Sequence, residues 1–435
     1  MIKTKTISNI PTSVAISALM AVLSSMFFVS CGNTTAKNEK PKIDSSLLLL
    51  KDPGYIPPAE VNRIKAGCEE WFDAALKRTG FNGGVVVAKK GNVVFEAYQG
   101  TGHVGGKDTV NANTAFHIAS VSKTFTAMAT LKLWQDGKLN IDDEYSKYFP
   151  EFNYPGVTVR TLLNHRSGLP NYVYFMESLG WDKKKFIQNQ DVLSFLVNRK
   201  AEIPNIASPN THFTYCNTNY ALLALLLEKV SGMKYPEFMR KTFFEPLQMK
   251  NTFVFDTSML QNVNPSYDGR GRMMAYNFLD AVYGDKNIYS TPRDLLNWDR
   301  ALSSGKLLSG PTLEAAYMPY SNEKPGVRNY GLGWRMNVYP NGKKMIYHNG
   351  WWHGNNAAFI RLIEDSATII VLGNRFNRNI YHAKDMVNIF SHYGESEEEE
   401  EASAEVRKAD TSAVAPATAP APHKKKIVKQ RRKRR

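Results

Sequence analysis

Two groups of strand-like segments, one on each side of a mostly helical stretch, constrain the fold of this chain most. Residues 85–88 and 93–98 flank Lys90-Gly91-Asn92 and predict an antiparallel hairpin. The signals between about residues 120 and 305 are mainly helical. Beyond them, strands are predicted at 330–338, 345–348, 357–363 and 368–372, followed by a helix over 380–390. If the first and last strands share a sheet, the fold class is α+β, an antiparallel sheet flanked by helices with an inserted all-helical lobe.

The first 31 residues have the pattern of an export signal. Lys3 and Lys5 precede a mostly apolar stretch that is shorter than the ~20 residues of a membrane-spanning helix. Residues 28–31 resemble a bacterial lipobox, which implies cleavage before Cys31 and acylation of its thiol. We therefore expect a lipoprotein-type signal peptide over 1–31, with simple secretion or an uncleaved anchor as alternatives. A polar, proline-bearing tether over 32–58 would then hold an exported domain on the membrane, in the cell envelope, facing the periplasm or the exterior.

The other end of the chain changes the meaning of the net charge. Residues 394–435 are acidic, then rich in Ala and Pro, then rich in Lys and Arg, a composition that predicts a disordered tail. Without the nine Lys and Arg among its last thirteen residues, the net charge falls from +15 to +6, from 46 basic and 40 acidic residues. The net charge is therefore no evidence that the predicted domain, 59–393, is a nucleic-acid-binding core. We expect the tail either to contact anionic lipid, lipopolysaccharide or nucleic acid, or to remain solvated without a partner.

The three cysteines predict no structural disulfide. If Cys31 is acylated, Cys68 and Cys216 remain, and a bridge would pull the segment around Cys216 toward an N-terminal helix. We predict two free thiols. The sequence has no His, Cys and carboxylate cluster with metal-ligand spacing and no glycine-rich phosphate loop, so neither a metal nor a cofactor is predicted.

A serine and a lysine three residues apart mark the start of a predicted helix. Ser120-Val121-Ser122-Lys123 begins an apolar helical pattern that lasts until Gly137. Residues i and i+3 share a helix face, so the Lys123 amine reaches the Ser120 oxygen and activates it as a nucleophile. The same pattern at Ser231, Ser303 and Ser321 is interrupted or followed by glycine or proline. The alternative for Ser120 is an ordinary helix cap.

Two further triplets follow this pair in order, Tyr215-Cys216-Asn217 and His348-Asn349-Gly350. With Ser120-x-x-Lys123 they resemble the three signature elements of the penicillin-recognising serine hydrolases. The form Tyr-x-Asn is similar to the class C β-lactamase branch, with its D-alanyl-D-alanine carboxypeptidases, esterases and D-amino-acid amidases. The gaps, 95 residues from Ser120 to Tyr215 and 133 from Tyr215 to His348, are of the order that this branch uses. The resemblance covers about residues 60 to 390.

The resemblance implies a role for each motif residue. Ser120 attacks a carbonyl, and Lys123 and Tyr215 accept and shuttle its proton as a coupled pair, with either one as the base. Asn217 binds the substrate amide or holds Lys123 in place. The backbone N–H groups of Ser120 and Trp351 form the oxyanion hole.

The third motif departs from the β-lactamase pattern at His348, where the best-known lactamases have a lysine. A histidine there would be charged only part of the time near neutral pH. We expect His348, Gly350 and Trp351 to bind substrate; the alternative for His348 is a strand histidine with a structural hydrogen bond. The Trp351 and Trp352 side chains line the acyl pocket or pack on the sheet. His165 is expected to be structural.

These residues predict a cell-envelope serine hydrolase that forms an acyl-enzyme on Ser120. Its substrate would be a small molecule or a peptidoglycan fragment with an amide, peptide, ester or β-lactam bond. The histidine of the third motif favours a peptidase, amidase or esterase over an efficient lactamase. The alternatives are a β-lactamase proper and a non-catalytic sensor that keeps the fold. The sequence leaves the oligomeric state open.

Overall fold

A seven-stranded antiparallel sheet forms the centre of the computed structural model, which describes residues 49–393. Its strand order is β2-β1-β10-β9-β8-β7-β6, so the first strands pair with the last, as predicted. The pairing of Val86 with Ile370 lies in the middle of the β1–β10 ladder. The strands are β1 (Gly83–Lys89), β2 (Asn92–Gln99), β6 (Arg328–Tyr330), β7 (Arg335–Val338), β8 (Lys344–Trp352), β9 (Asn355–Leu362) and β10 (Ala367–Gly373).

Both faces of this sheet are buried, and successive residues of its central strands alternate between two cores. Ile370 and Leu372 of β10 join the larger core, whereas Ile369 and Val371 join the smaller one. Because neighbouring side chains of a strand point to opposite faces, one run of apolar residues supplies both layers. The sheet is therefore a rigid, two-sided support.

The helices divide between the sheet and an inserted lobe, which confirms the predicted α+β class. Helix α6 begins at Asn217 and is buried on almost every side, as expected for the centre of a helical lobe. The helices are α1 (Pro58–Ala75), α2 (Ser122–Gln135), α3 (Val159–Leu163), α4 (Tyr172–Ser178), α5 (Asn189–Asn198), α6 (Asn217–Ser231), α7 (Tyr235–Met239), α8 (Pro292–Leu302) and α9 (Gly310–Ala316).

Two predicted elements differ from the structure in detail. The strand predicted over 330–338 is two strands, β6 and β7, because the chain turns through Gly333 at φ +87°, a conformation that favours glycine. The predicted C-terminal helix is present, but Arg378–Ile389 is a 3₁₀ helix. Its buried residues Ile380, Ala383 and Met386 are spaced by three, the period of a 3₁₀ helix.

A small second sheet was not predicted. It has the order β3-β5-β4, with strands of two or three residues that are too short to produce an alternating pattern. Its strands are β3 (Phe116–His117), β4 (Phe253–Val254) and β5 (Ile288–Ser290). Strand β3 ends three residues before Ser120, so this sheet fixes the approach of the chain to the predicted nucleophile.

Cys68 and Cys216 are free and buried, as predicted. Burial raises the pKa of the Cys68 thiol to about 12, which keeps it protonated and unreactive at neutral pH. The predicted signal peptide with Cys31, residues 32–48 of the predicted tether, and the predicted tail over 394–435 lie outside the described residues. None of the helices between residues 49 and 393 has both the length and the apolar character of a membrane-crossing segment.

Candidate active site

Ser120 lies in a 3₁₀ turn, Ala119–Val121, that leads directly into α2. Lys123 is in the first turn of α2, with its side chain fully buried and its Nζ 3.1 Å from Ser120 Oγ. The predicted i, i+3 proximity is therefore present. The cap positions of the turn and the helix are Ile118 and Val121, so Ser120 is not a helix cap.

The Lys123 amine has two further hydrogen-bond partners. Its Nζ donates to Asn217 Oδ1 at 2.8 Å and to the Asp285 carbonyl oxygen at 2.8 Å. Both oxygens only accept, so an uncharged amine uses two N–H groups on them and directs its lone pair toward Ser120 Oγ. Such an amine is oriented to take the serine proton. Asp285 was not predicted as part of the site, because its contribution is a backbone carbonyl and every residue type has one.

Tyr215 is joined to the site by ring contacts. Its half-buried ring lies with its centroid 4.9 Å from Lys123 Nζ, and the Arg335 guanidinium is also 4.9 Å from that centroid. Arg335, the first residue of β7, was also not predicted. It is a single arginine after a glycine-rich turn, and no sequence motif distinguishes it from a surface arginine.

The structure corrects the expectation for His348. Its ring is fully buried; Nδ1–H donates to the Asn349 carbonyl at 2.7 Å, and Nε2 accepts from the Tyr330 hydroxyl at 3.2 Å. Burial, and then the positive charge of Arg335, lower the pKa of His348 well below 6.5. The expectation of a part-time cation is therefore wrong, and the structural alternative fits. Direct contact of His348 with a substrate stays a prediction.

Gly350 lets β8 approach the turn that carries the nucleophile. A Cβ atom at this position would overlap the Ile118 carbonyl oxygen and lie 3.1 Å from the Ala119 Cβ. The glycine of the third motif therefore acts here through close backbone packing, and it places the following Trp351 beside this turn. The Trp351 indole donates to the His353 carbonyl at 2.9 Å, and its ring lies 6.1 Å from that of Phe376. The oxyanion role of the Trp351 N–H stays a prediction.

A buried histidine that the sequence did not reveal supports the Ser120 turn. Ala119 has a positive φ of +47°, which is strained for a residue other than glycine. Its N–H donates to His117 Nδ1 at 3.1 Å, and His117 Nε2–H donates to Asn287 Oδ1 at 3.0 Å. Burial lowers the pKa of His117 to about 4, so the ring stays neutral and keeps both hydrogen bonds at neutral pH. This network holds the conformation that presents Ser120.

His165 is structural, as the sequence predicted. Its Nδ1 accepts from the Cys216 N–H at 3.1 Å, and its ring centroid lies 4.5 Å from that of Tyr215. His165 therefore fixes the second motif beside Lys123. Within residues 49–393 no group of three or more His, Cys, Asp or Glu side chains is arranged to hold a metal ion.

The fold and these contacts define a serine hydrolase class, in which a lysine amine activates a serine at the start of a helix. Comparison with known proteins gives the same class. Residues 68–393 match the family model Beta-lactamase, and the chain belongs to this family of penicillin-recognising serine hydrolases.

Individual relatives agree with this assignment. Penicillin-binding protein 4* of Bacillus subtilis (strain 168) is 31% identical over 322 residues, which are 70% of each chain. The penicillin binding protein from Bacillus halodurans has a similar structure, with a TM-score of 0.64 and 22% identity over 75% of this chain and 98% of the other. D-amino acid amidase from Ochrobactrum anthropi SV3 has a TM-score of 0.60 and 23% identity over 76% and 97%. The last two likenesses bear on the fold alone.

Proposed function

We propose that this protein is a cell-envelope serine hydrolase that forms an acyl-enzyme on Ser120 and hydrolyses an amide, peptide or ester bond. The observation that carries the proposal is the position of the Lys123 amine, 3.1 Å from Ser120 Oγ with two other acceptors at 2.8 Å. This geometry leaves the amine one direction in which to accept a proton.

The reaction follows from this arrangement. Ser120 Oγ attacks the substrate carbonyl carbon while its proton passes to Lys123, or through Lys123 to Tyr215. The carbonyl oxygen becomes an oxyanion, for which the N–H groups of Ser120 and Trp351 are the proposed donors. The tetrahedral intermediate expels the amine or alcohol, which takes up the proton, and leaves an ester on Ser120. Water then attacks this ester, with the same groups accepting its proton, and releases the acid.

The surroundings of the third motif support a peptidase, amidase or esterase more than an efficient lactamase. His348 is buried and neutral, so the third motif contributes no cation of its own. Arg335 on β7 supplies a permanent positive charge beside Tyr215 instead. The similarity to penicillin-binding protein 4* supports D-configured amides and peptides as the first candidate substrates to test. A β-lactamase proper and a non-catalytic sensor are the competing functions.

Labelling with a fluorescent penicillin and a fluorophosphonate tests acyl transfer. Wild-type protein is expected to be labelled, and Ser120→Ala is expected to lose the label. Ser231→Ala is the matched control, because Ser231 and Lys234 have the same spacing but Ser231 Oγ donates to the Leu227 carbonyl instead. Absence of labelling and of activated-ester hydrolysis would refute the proposal, and stoichiometric labelling without turnover would favour the sensor.

A substrate panel distinguishes the remaining functions. It contains a chromogenic cephalosporin, a D-alanyl-D-alanine peptide, a D-amino-acid amide and a short-chain ester. We expect turnover of the amide, peptide or ester at a higher kcat/KM than that of the cephalosporin. The reverse order would identify a β-lactamase.

The location in the envelope is a separate part of the proposal. It is supported by the signal and lipobox-like pattern that ends at Cys31, with the basic tail as a second contact to anionic surfaces. Full-length protein is expected in the membrane fraction, and Cys31→Ser is expected in the soluble exported fraction. Equal distribution of the two proteins would refute the lipid anchor.

A further inference from the structure

A second buried lysine follows an acceptor of the Lys123 amine in the sequence. Lys286 follows Asp285, the residue whose carbonyl accepts from Lys123 Nζ. The Lys286 ammonium and the Asp285 carboxylate are 3.4 Å apart, and their side chains are only 3% and 1% exposed. The proposed reaction uses neither side chain.

Tyr172 closes this pair into a cluster that connects the two acceptors of Lys123. The Tyr172 hydroxyl donates to Asp285 Oδ2 at 3.1 Å and accepts from Lys286 Nζ. At the start of α4, the Tyr172 N–H donates to Thr218 Oγ1 at 2.7 Å, one residue after Asn217. The cluster therefore ties the Asp285 carbonyl to the helix that carries Asn217.

The Asp285–Lys286 ion pair is deeply buried and has few partners, so its contribution to stability does not explain its presence. Asp285 Oδ1 has no hydrogen-bond partner among the described residues, so Lys286 and Tyr172 alone compensate this buried carboxylate. Lys286 also lies 4.7 Å from the ring centroid of Trp352, at the end of β8. Burial lowers the pKa of Lys286, while the Asp285 carboxylate opposes that effect and favours the ammonium. A buried ion pair is often no more stable than an apolar pair of similar volume, so stability alone does not account for it.

We propose that Asp285, Lys286 and Tyr172 form a positioning cluster for Lys123, in which the Lys286 ammonium offsets the Asp285 carboxylate beside the amine. The cluster fixes the carbonyl that orients the amine, and a carboxylate left without its cation there would favour the protonated form of the amine. This inference rests on the proposed acyl-transfer function.

The other groups around Lys123 do not replace the Lys286 charge. His165 and His348 are held neutral by burial, which lowers the pKa of each. Lys123 also faces Tyr215, Tyr220 and Cys216, and Arg335 lies over the Tyr215 ring. Lys286 also faces Asp280 and His117. Arg335 contacts the ring of Tyr215. Lys286 instead follows Asp285, whose carbonyl accepts from the Lys123 amine.

The pH dependence of kcat/KM tests the proposal, with the best substrate of the panel. Lys286→Met removes the cation and leaves the Asp285 carboxylate, which favours protonated Lys123. The acidic limb of the pH profile of kcat/KM should therefore shift to higher pH by about one unit. The double variant Asp285→Asn with Lys286→Met removes both charges and should return the limb close to that of wild type. Lys132→Met, which removes a half-buried cation paired with Asp136 on the same helix, is the matched control and should leave the limb in place.

Other results would overturn the inference. They are an unmoved acidic limb in Lys286→Met with only a lower rate at every pH, or an equal displacement in the single and double variants. If Lys286→Met does not fold, Tyr172→Phe replaces it: a smaller displacement in the same direction supports the cluster, and none overturns it. Absence of Ser120 labelling in wild-type protein would refute the proposed function instead, so the two failures are distinguishable.

Discussion

The active site has two sides, and they use the same kind of short motif in different ways. On the helical-lobe side, Asn217 and the Asp285 carbonyl hold the Lys123 amine by direct hydrogen bonds. On the sheet side, the third motif contributes a buried neutral His348 and a glycine that packs against the Ser120 turn. The lobe therefore acts through hydrogen bonds to the catalytic amine, and the sheet acts through backbone shape. Substitutions on the lobe side should therefore lower the rate of the chemical step, and substitutions on the sheet side should disturb packing.

The largest expected effect comes from the amine that the lobe side holds. Lys123→Met should lower kcat/KM by roughly a thousandfold, because a positioned general base contributes about 10²–10⁴ in rate. Steady-state kinetics of wild type, Lys123→Met and the surface variant Lys132→Met measure this directly. A reduction of only a few-fold in Lys123→Met would mean that Lys123 is not the base.

A substitution on the sheet side should impair the enzyme by disturbing backbone packing. Gly350→Ala places a methyl group against the Ile118 carbonyl, so the Ser120 turn or β8 must move. We expect about a hundredfold loss of kcat and a destabilisation of about 1–3 kcal/mol. Gly310→Ala is the control, because a Cβ atom there meets no atom within 4 Å. Equal behaviour of the two variants in kinetics and thermal unfolding would contradict the packing role.

Arg335 joins the two sides through Tyr215, and its effect should be smaller. Arg335→Met removes a cation 4.9 Å from the ring centroid, and a loss of about tenfold in kcat/KM is expected from a contact worth about 1–2 kcal/mol. Arg335→Lys keeps the charge and should recover part of this loss. If Arg335→Lys were as impaired as Arg335→Met, the planar guanidinium rather than its charge would be the important feature.

A last effect concerns the pH dependence of stability beneath the Ser120 turn rather than catalysis. Burial lowers the pKa of His117 to about 4 in the folded state, below the value near 6.5 of the unfolded chain. The unfolded state therefore binds the proton first, and stability is complete above pH 6.5 and lost as the pH falls toward 4. The loss is roughly 3 kcal/mol for this residue. Thermal unfolding of wild type and His117→Asn between pH 7 and 4 should show a weaker pH dependence in the variant, and equal dependence would contradict the assignment.

The sequence predicted the parts of this molecule that have a period or a motif. The paired end strands, the helical lobe and the contact of Lys123 with Ser120 follow from patterns that local geometry enforces. Strands β3–β5 were missed because two or three residues have no period.

The parts of the site that were missed come from distant segments or from residues that no motif marks. The Asp285 carbonyl, Arg335 and His117 reach the site from segments that are far from Ser120 or carry no motif. The charge of His348 was predicted wrongly because the pKa of a histidine depends on burial, which a strand motif alone does not show.

The most direct test of the account is the mass of the intact protein after brief exposure to a penicillin, followed by peptide mapping. One adduct with the mass of the penicillin is expected, located on the peptide that contains Ser120. The adduct should be absent from Ser120→Ala and formed far more slowly by Lys123→Met. An adduct on another residue, or full substrate turnover by Ser120→Ala, would contradict it.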